Sequence, residues 1–289
     1  MGELRWPFVG SEVLAAGMIA ERAMRRDYER VYPGVYVPRG VEPSARQRAE
    51  AAWLWSGRRG VVGGQSAAAL LGAKWVDGRH AAELIYANRK PPRLLTVRTE
   101  TVYPSEVLDV GGIAVTTAGR SAFDVGRHTA SRLAAVQRLD ALTRATRVTC
   151  AEVEAVAAAH PGVRGLSRLR AVLPLVDGGA ESPQETAARL VLVDAGLPAP
   201  TTQFEVRGAF GEFVARLDMA YESVKVGIEY DGAQHWTDPV VRQRDIDRIF
   251  ELTALNWIII RVSRDLLRYR KPTYVARVQA ALRQRGFTW

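Results

Sequence analysis

The sequence predicts an α+β protein of several domains. A length of 289 residues, with 47% hydrophobic and 25% charged, suits a globular chain with room for two or three cores. Runs of helical period and runs of alternating, strand-like period are mixed along the whole length. Residues 181–289 read in the order αβββαβα, and Asp177-Gly178-Gly179-Ala180 is the best linker signal before them. The expected divisions are 1–40, 41–128, 129–180 and 181–289.

Residues 1–40 open with a short helix, Glu12 to Ala16, which Ser11 is placed to cap and Gly17 ends. A second helix, Met18 to about Arg26, carries Arg22, Arg25 and Arg26. Two strands then flank Pro33-Gly34, a pair suited to a type II turn. Helix, turn, basic helix and hairpin is the order of a winged helix-turn-helix, whose second helix enters the major groove. On that reading Arg22, Arg25 and Arg26 contact DNA; a small α/β unit with solvated arginines is the plainer alternative.

Residues 41–128 form an α/β middle region. A helix is expected over Arg46 to Trp55, ended by Gly57, and a second over Ala67 to Leu71, capped by Ser66. Alternation marks strands at Ala82 to Tyr86, Leu94 to Arg98 and Val107 to Val115, and Thr117 or Ser121 opens the next helix. Gly63-Gly64 before Ser66 reads as a turn and cap, with a phosphate site at a helix start as the alternative. His80 and His128 read as surface residues. Residues 129–180 are a helical connector: one run through Leu133, Val136, Leu139, Ala141 and Leu142, another from Glu152 to His160 capped by Thr149, a third from Gly162 to Val172.

Ser182-Pro183-Gln184-Glu185 is a strong helix start, a capping box with proline at the first helical position. Strands follow at Thr202 to Arg207, Phe213 to Met219 and Lys225 to Tyr230, then a helix from Pro239 to Ala254, the apolar strand Trp257 to Val262, and a helix from Tyr274 to Arg283. With Ser223 and Val224 at the turn centre, Asp218 faces Glu229, with Cβ atoms roughly 5 Å apart. Period-two alternation puts Asp231 on the face of Glu229, and Val226, Ile228 and Tyr230 on the face toward a core. Two opposed carboxylates repel unless a cation lies between them, and Mg²⁺ takes carboxylate oxygens. Asp218, Glu229 and Asp231 are therefore the expected metal ligands, beside the plainer reading of a solvated acidic face.

Forty Lys+Arg against 31 Asp+Glu give a net charge of +9, which favours an anionic partner such as nucleic acid. Arginine predominates among these cations, and its guanidinium pairs bidentately with phosphate. A single cysteine, Cys150, forbids an intrachain disulfide and, with four scattered histidines, argues against a zinc site. The N-terminus lacks the pattern of a signal peptide, and the longest apolar run is too short to span a bilayer. A cytoplasmic protein without a membrane partner is expected.

Two resemblances add to this reading. Arg30-Val31-Tyr32-Pro33-Gly34-Val35-Tyr36-Val37-Pro38 resembles the winged-helix region of type IV toxin–antitoxin antitoxins of the Abi class. That resemblance implies an operon-repressing DNA binder with a cognate toxin partner. Residues 181–289 resemble the restriction-endonuclease-like domains related to very-short-patch-repair endonucleases, within the PD-(D/E)xK superfamily. The matching pieces are S-P-Q-E at 182–185, R-L-D at 216–218, I-E-Y-D-G-x-Q-H at 228–235, D-I-D-R-x-x-E-L at 245–252 and W-I-I-I-R at 257–261.

By position, this second resemblance implies a Mg²⁺- or Mn²⁺-dependent DNA endonuclease. Asp218 and Glu229 would hold the metal, with support from Glu185. Asp231 stands where the motif has lysine, and His235 would act as general acid or base. Arg248 and Arg261 would offset phosphate charge. The alternative is a DNA-binding antitoxin or repressor with an inactive nuclease fold. A homodimer is a further expected form.

Overall fold

Residues 4–88, 90–231 and 239–289 are described in the computed structural model, the side chains of 239–246 excepted. The chain divides into two units, Met1–Val176 and Asp177–Trp289. The expected divisions after residues 40 and 128 fall inside the first of these. Among the described residues there are twelve α-helices and three β-sheets, a mixed α+β architecture. None of these helices is long and apolar enough to cross a membrane.

The first unit begins with β1 (Phe8–Val9), α1 (Gly10–Ala15), α2 (Glu21–Asp27), β2 (Tyr28–Tyr32) and β3 (Val35–Pro38). Gly34, at φ +80°, supplies the turn between β2 and β3, and β1 pairs with the far side of β3. Ser11 is not a cap: α1 starts one residue before it, after Val9, whose side chain makes no capping bond. The second helix starts at Glu21, not Met18.

Ser44 and Gln47 form a capping box at the start of α3 (Ala45–Trp55). Next come β4 (Val61–Val62), α4 (Gly64–Leu70), β5 (Ala82–Ile85), β6 (Leu95–Arg98), β7 (Val107–Val110) and β8 (Ile113–Thr116). The strands form one sheet in the order β6-β5-β4-β8-β7. Ser66 lies inside α4, not at its cap, and its Oγ accepts the N–H of Glu83. The expected strand Val107 to Val115 is instead a hairpin, folded at Gly111 and Gly112, both with positive φ. Tyr32 and Val35 share their core with Ala49, Ala52, Leu84 and Val115.

Four helices complete this unit: α5 (Ala118–His128), α6 (Arg132–Thr146), α7 (Cys150–Ala159) and α8 (Leu166–Val172). Thr117 caps α5, Ser131 caps α6 and Thr149 caps α7. The last helix starts at Leu166, not Gly162, because Gly165 sits at φ +94°, outside helical geometry.

The second unit runs α9 (Pro183–Asp194), β9 (Thr201–Arg207), β10 (Phe213–Tyr221), β11 (Val226–Asp231), α10 (Pro239–Ala254), β12 (Ile258–Ser263), α11 (Arg264–Tyr269) and α12 (Lys271–Gln284). Ser263 caps α11, a helix not expected from the sequence. The sheet order is β12-β11-β10-β9, with β12 parallel to β11 and the other pairs antiparallel. Both faces are covered. Val226, Ile228, Ile260 and Val262 pack in a core with Leu192, Val278 and Leu282 of the flanking helices. Leu217, Ala220 and Trp257 pack on the opposite side with Leu252 of α10.

Candidate functional site

The register of β10 against β11 pairs Met219 with Ile228, Ala220 with Gly227 and Tyr221 with Val226. Continued by one residue, it places Asp218 across from Glu229, in keeping with the expected turn centre. Alternation resets at this point. Leu217 packs in the core on one side of the sheet and Met219 in the core on the other, although regular alternation would put them together. The opposing strand is irregular at the same level. Gln203, between Phe204 and Thr202, which pair with Leu217 and Met219, has φ +51°. Asp218 thus occupies the turnover of the central strand.

Its carboxylate Oδ2 accepts the backbone N–H of Tyr230 at 2.7 Å. Burial pushes its pKa up, the Tyr230 hydrogen bond opposes this, and the carboxylates of Glu185, Glu229 and Glu181 push it further, to about 7. The expected ligand Asp231 stands two residues beyond Glu229, beside Ser263 of β12. The acids acting on Asp218 are Glu185 in the first turn of α9, Glu229 of β11 and Glu181, which precedes the α9 cap.

Glu185 is buried and well held. Its carboxylate accepts the Ser182 hydroxyl (2.8 Å), the Glu181 N–H (2.8 Å) and the Gln203 side-chain amide (3.0 Å). Ser182 caps the Glu185 N–H as expected, at 3.2 Å, but Glu185 reaches back to the Glu181 amide in place of that of Ser182. Arg216 pairs with Glu181 at 3.1 Å.

Glu229 is chelated by Arg248 of α10, through Nη1 to Oε1 and through Nη2 to Oε2 at 3.0 Å. Arg261 is the β12 partner of Glu229. The two expected phosphate-binding arginines therefore lie at the acidic centre, one of them bonded to a predicted metal ligand. His235 lies outside the described residues. Arg22, Arg25 and Arg26 are exposed on α2 and its C-terminal end, with Arg25 bonded to Glu21 and Arg26 to Asp27.

An all-carboxylate donor set suits a hard divalent cation. Asp218, with one N–H donor and three carboxylates acting on it among the described residues, is a group that such a cation would stabilise. The residues present fit Mg²⁺ or Mn²⁺ in donor type. They are not gathered as a closed cage. Among the described residues, the group of three whose ligand atoms lie within 4.8 Å of one another is Glu100, Asp124 and His128, in the first unit.

That group belongs to a buried ionic network. Arg120, 1% exposed, bonds Asp124 (2.9 Å), Glu106 (2.6 Å) and the Thr101 carbonyl (2.8 Å). Arg127 bonds Asp124 (2.7 Å) and Glu100. His160 meets Glu106 at 2.6 Å and His128 meets Glu100 at 3.3 Å. Burial favours the neutral form of Glu100, but His128 and Arg127 outweigh it and hold the carboxyl at about 2. The expectation that His128 is a surface residue is corrected: it is largely buried and paired. His80 is exposed, 3.9 Å from Asp77. The helical part of this network had a signal in the sequence, since Asp124 lies three or four residues from Arg120, Arg127 and His128 on one helix.

The fold and these centres define a two-unit α+β protein with one buried ion network and one acidic sheet centre. The uncharacterized protein Rv2248 of Mycobacterium tuberculosis (strain ATCC 25618 / H37Rv) is 30% identical over 249 residues, covering 86% of this chain and 90% of that one. The uncharacterized protein MT2308 of Mycobacterium tuberculosis (strain CDC 1551 / Oshkosh) matches to the same extent. The chain belongs to the family of these mycobacterial proteins. No family model matches it, and no solved structure does.

Proposed function

We propose that the second unit is a divalent-metal-dependent phosphodiesterase acting on DNA. The observation that carries this is Asp218: a half-buried carboxylate at the turnover of a central strand, under the electrostatic influence of Glu185, Glu229 and Glu181. Such a grouping is costly without a cation. The succession of one helix, three strands, a helix and a fourth strand parallel to the third, with the sequence resemblance to restriction-endonuclease-like domains, supports the same reading.

Asp218 and Glu229 would hold the metal, and Glu185 would orient its water. The metal would supply an activated water and charge stabilisation at the phosphorus. The chain's own contributions follow from the geometry. The Tyr230 N–H fixes the Asp218 carboxylate, while Gln203 and Ser182 fix that of Glu185. Arg248 and Arg261 bring guanidinium charge to the place where a phosphate would lie. The basic α2 and the hairpin after it would add backbone contacts in the manner of a winged helix.

The test is incubation of supercoiled plasmid with Mg²⁺ or Mn²⁺ and the wild type, Asp218→Ala or Glu229→Ala. Cleavage by the wild type alone supports the proposal. Intact plasmid with the wild type overturns the enzyme reading, and equal cleavage by all three overturns the site.

A second reading is favoured by the Arg248–Glu229 chelate and by Asp231 in the lysine position. In it, the chain binds DNA as a repressor and its acidic centre is silent. It predicts retarded but uncut DNA, with binding that weakens steeply as salt is added.

A further inference from the structure

The first unit contains a cavity of about 250 Å³ between α4, β5, β6, α5 and the loop carrying Trp75 to His80. Its size lies just below the roughly 300–1,000 Å³ of ordinary small-molecule pockets. Three of its lining side chains each carry a buried nitrogen without a protein hydrogen-bond partner: Gln65 Nε2, Arg98 Nε and His128 Nδ1. Buried polar groups are normally paired, and one left unpaired destabilises the fold. Three such groups around one cavity call for a ligand.

The ligand's chemistry follows from what the wall already satisfies. Both oxygens of Asp124 are taken by Arg120 and Arg127. Those of Glu83 are taken by the Gln65 N–H (3.0 Å) and by Arg98 Nη2 (3.2 Å). Those of Asp77 are taken by Arg79. Each of these carboxylate oxygens already accepts a donor, whereas Gln65 Nε2 and Arg98 Nε can only donate. His128 Nε2 faces Glu100, an acceptor, and so carries a proton; Nδ1 of the same ring can take the hydroxyl proton of a ligand. The same carboxylate occupancy argues against a cation at Glu100, Asp124 and His128, since Arg120 and Arg127 already neutralise the two acids.

We propose that this cavity binds a small molecule bearing an oxyanion, carboxylate or phosphate, held by Gln65 Nε2 and Arg98 Nε beside His128. Trp75, also in the lining and largely exposed, offers a flat face for an aromatic group attached to the anion. The site is independent of the acidic centre in the second unit.

The test is calorimetric titration of the full chain with benzoate and with inorganic phosphate, each up to about 10 mM, enough to detect millimolar binding. The wild type is expected to bind at least one of them. Gln65→Met, which removes an unpartnered amide at similar volume, should weaken that binding about tenfold. Its melting temperature should be unchanged or higher, so lost binding is not lost folding. Arg98→Gln should weaken binding similarly, and preference for benzoate or phosphate tells the two oxyanion sources apart. Absence of binding by the wild type overturns the proposal, as does equal affinity in Gln65→Met. Binding of Zn²⁺ with neither anion bound also overturns it, in favour of a cation site.

Discussion

The Oδ2 atom of Asp218 accepts the backbone N–H of Tyr230 at 2.7 Å, which ties the turnover point of β10 to β11. That single donor does not offset burial and three nearby carboxylates, so the folded protein holds the Asp218 proton up to about pH 7. An unfolded aspartate releases it near pH 3.9. The folded state therefore binds more protons between these values. The stabilisation is full below about pH 4 and is lost as the pH rises through about 7, amounting to about 3 kcal/mol for this partly exposed group. Asp218→Asn keeps an oxygen for Tyr230 and cannot ionise. It should be more stable than the wild type by about that amount at pH 8 and equal to it at pH 4, as read by urea unfolding. A constant difference between the two pH values would show that Asp218 is not the titrating group.

The Glu229–Arg248 chelate sets a competition. Arg248 neutralises a carboxylate that the proposed metal site needs. Arg248→Ala should destabilise the chain by about 1–3 kcal/mol, because Glu229 is left largely buried without its partner. The same variant should bind Mn²⁺ more tightly than the wild type in a calorimetric titration. Weaker Mn²⁺ binding would mean that Arg248 supports the centre and does not compete with it.

Arg120 is the hub of the first unit's ionic network, bonded to Asp124, Glu106 and the Thr101 carbonyl. Arg120→Met fills a similar space and leaves two buried acids without this cation. A loss of about 3–5 kcal/mol is expected from urea unfolding. Arg120→Met with Asp124→Leu should recover part of that loss, since an apolar replacement of both partners removes the stranded charge.

Local rules made much of the fold legible. The apolar strand Trp257 to Val262, the capping serine Ser182 and the Pro33-Gly34 turn each carry their signal within a few residues, and β12, α9 and the first hairpin lie where these signals put them. The misplaced starts at Ser11 and Ser66 have a physical cause, as a serine near a helix start reads as a cap whether or not its hydroxyl is drawn elsewhere. The acidic centre was legible only in part. Register arithmetic aligns Asp218 with Glu229, but Glu181 and Gln203 enter through the packing of α9 and the irregularity at residue 203, which no spacing encodes. The Arg120 network was missed because Glu100, Glu106 and His160 reach it from distant parts of the chain.

Gly227 links packing to the centre. It pairs with Ala220 on β10 and lies two residues before Glu229. A Cβ at this position would stand 2.6 Å from Leu217 Cδ1 and 2.8 Å from Ile259 Cδ1, side chains packed between the sheet and α10. Gly227→Ala must therefore displace β11 or both neighbours, and overpacking of this kind costs about 1–3 kcal/mol. Moving β11 also moves Glu229 relative to Asp218. The expected outcome is a lower urea midpoint together with a fall in the proton affinity of Asp218, seen by carboxyl NMR titration, as Glu229 withdraws. Leu282→Ala is the control: it creates a cavity in the core on the other face of the sheet and should cost about 2–5 kcal/mol. The Asp218 titration should stay in place in that variant. If the two substitutions shift it equally, the coupling runs through general loosening of the unit and not through the strand that carries Glu229.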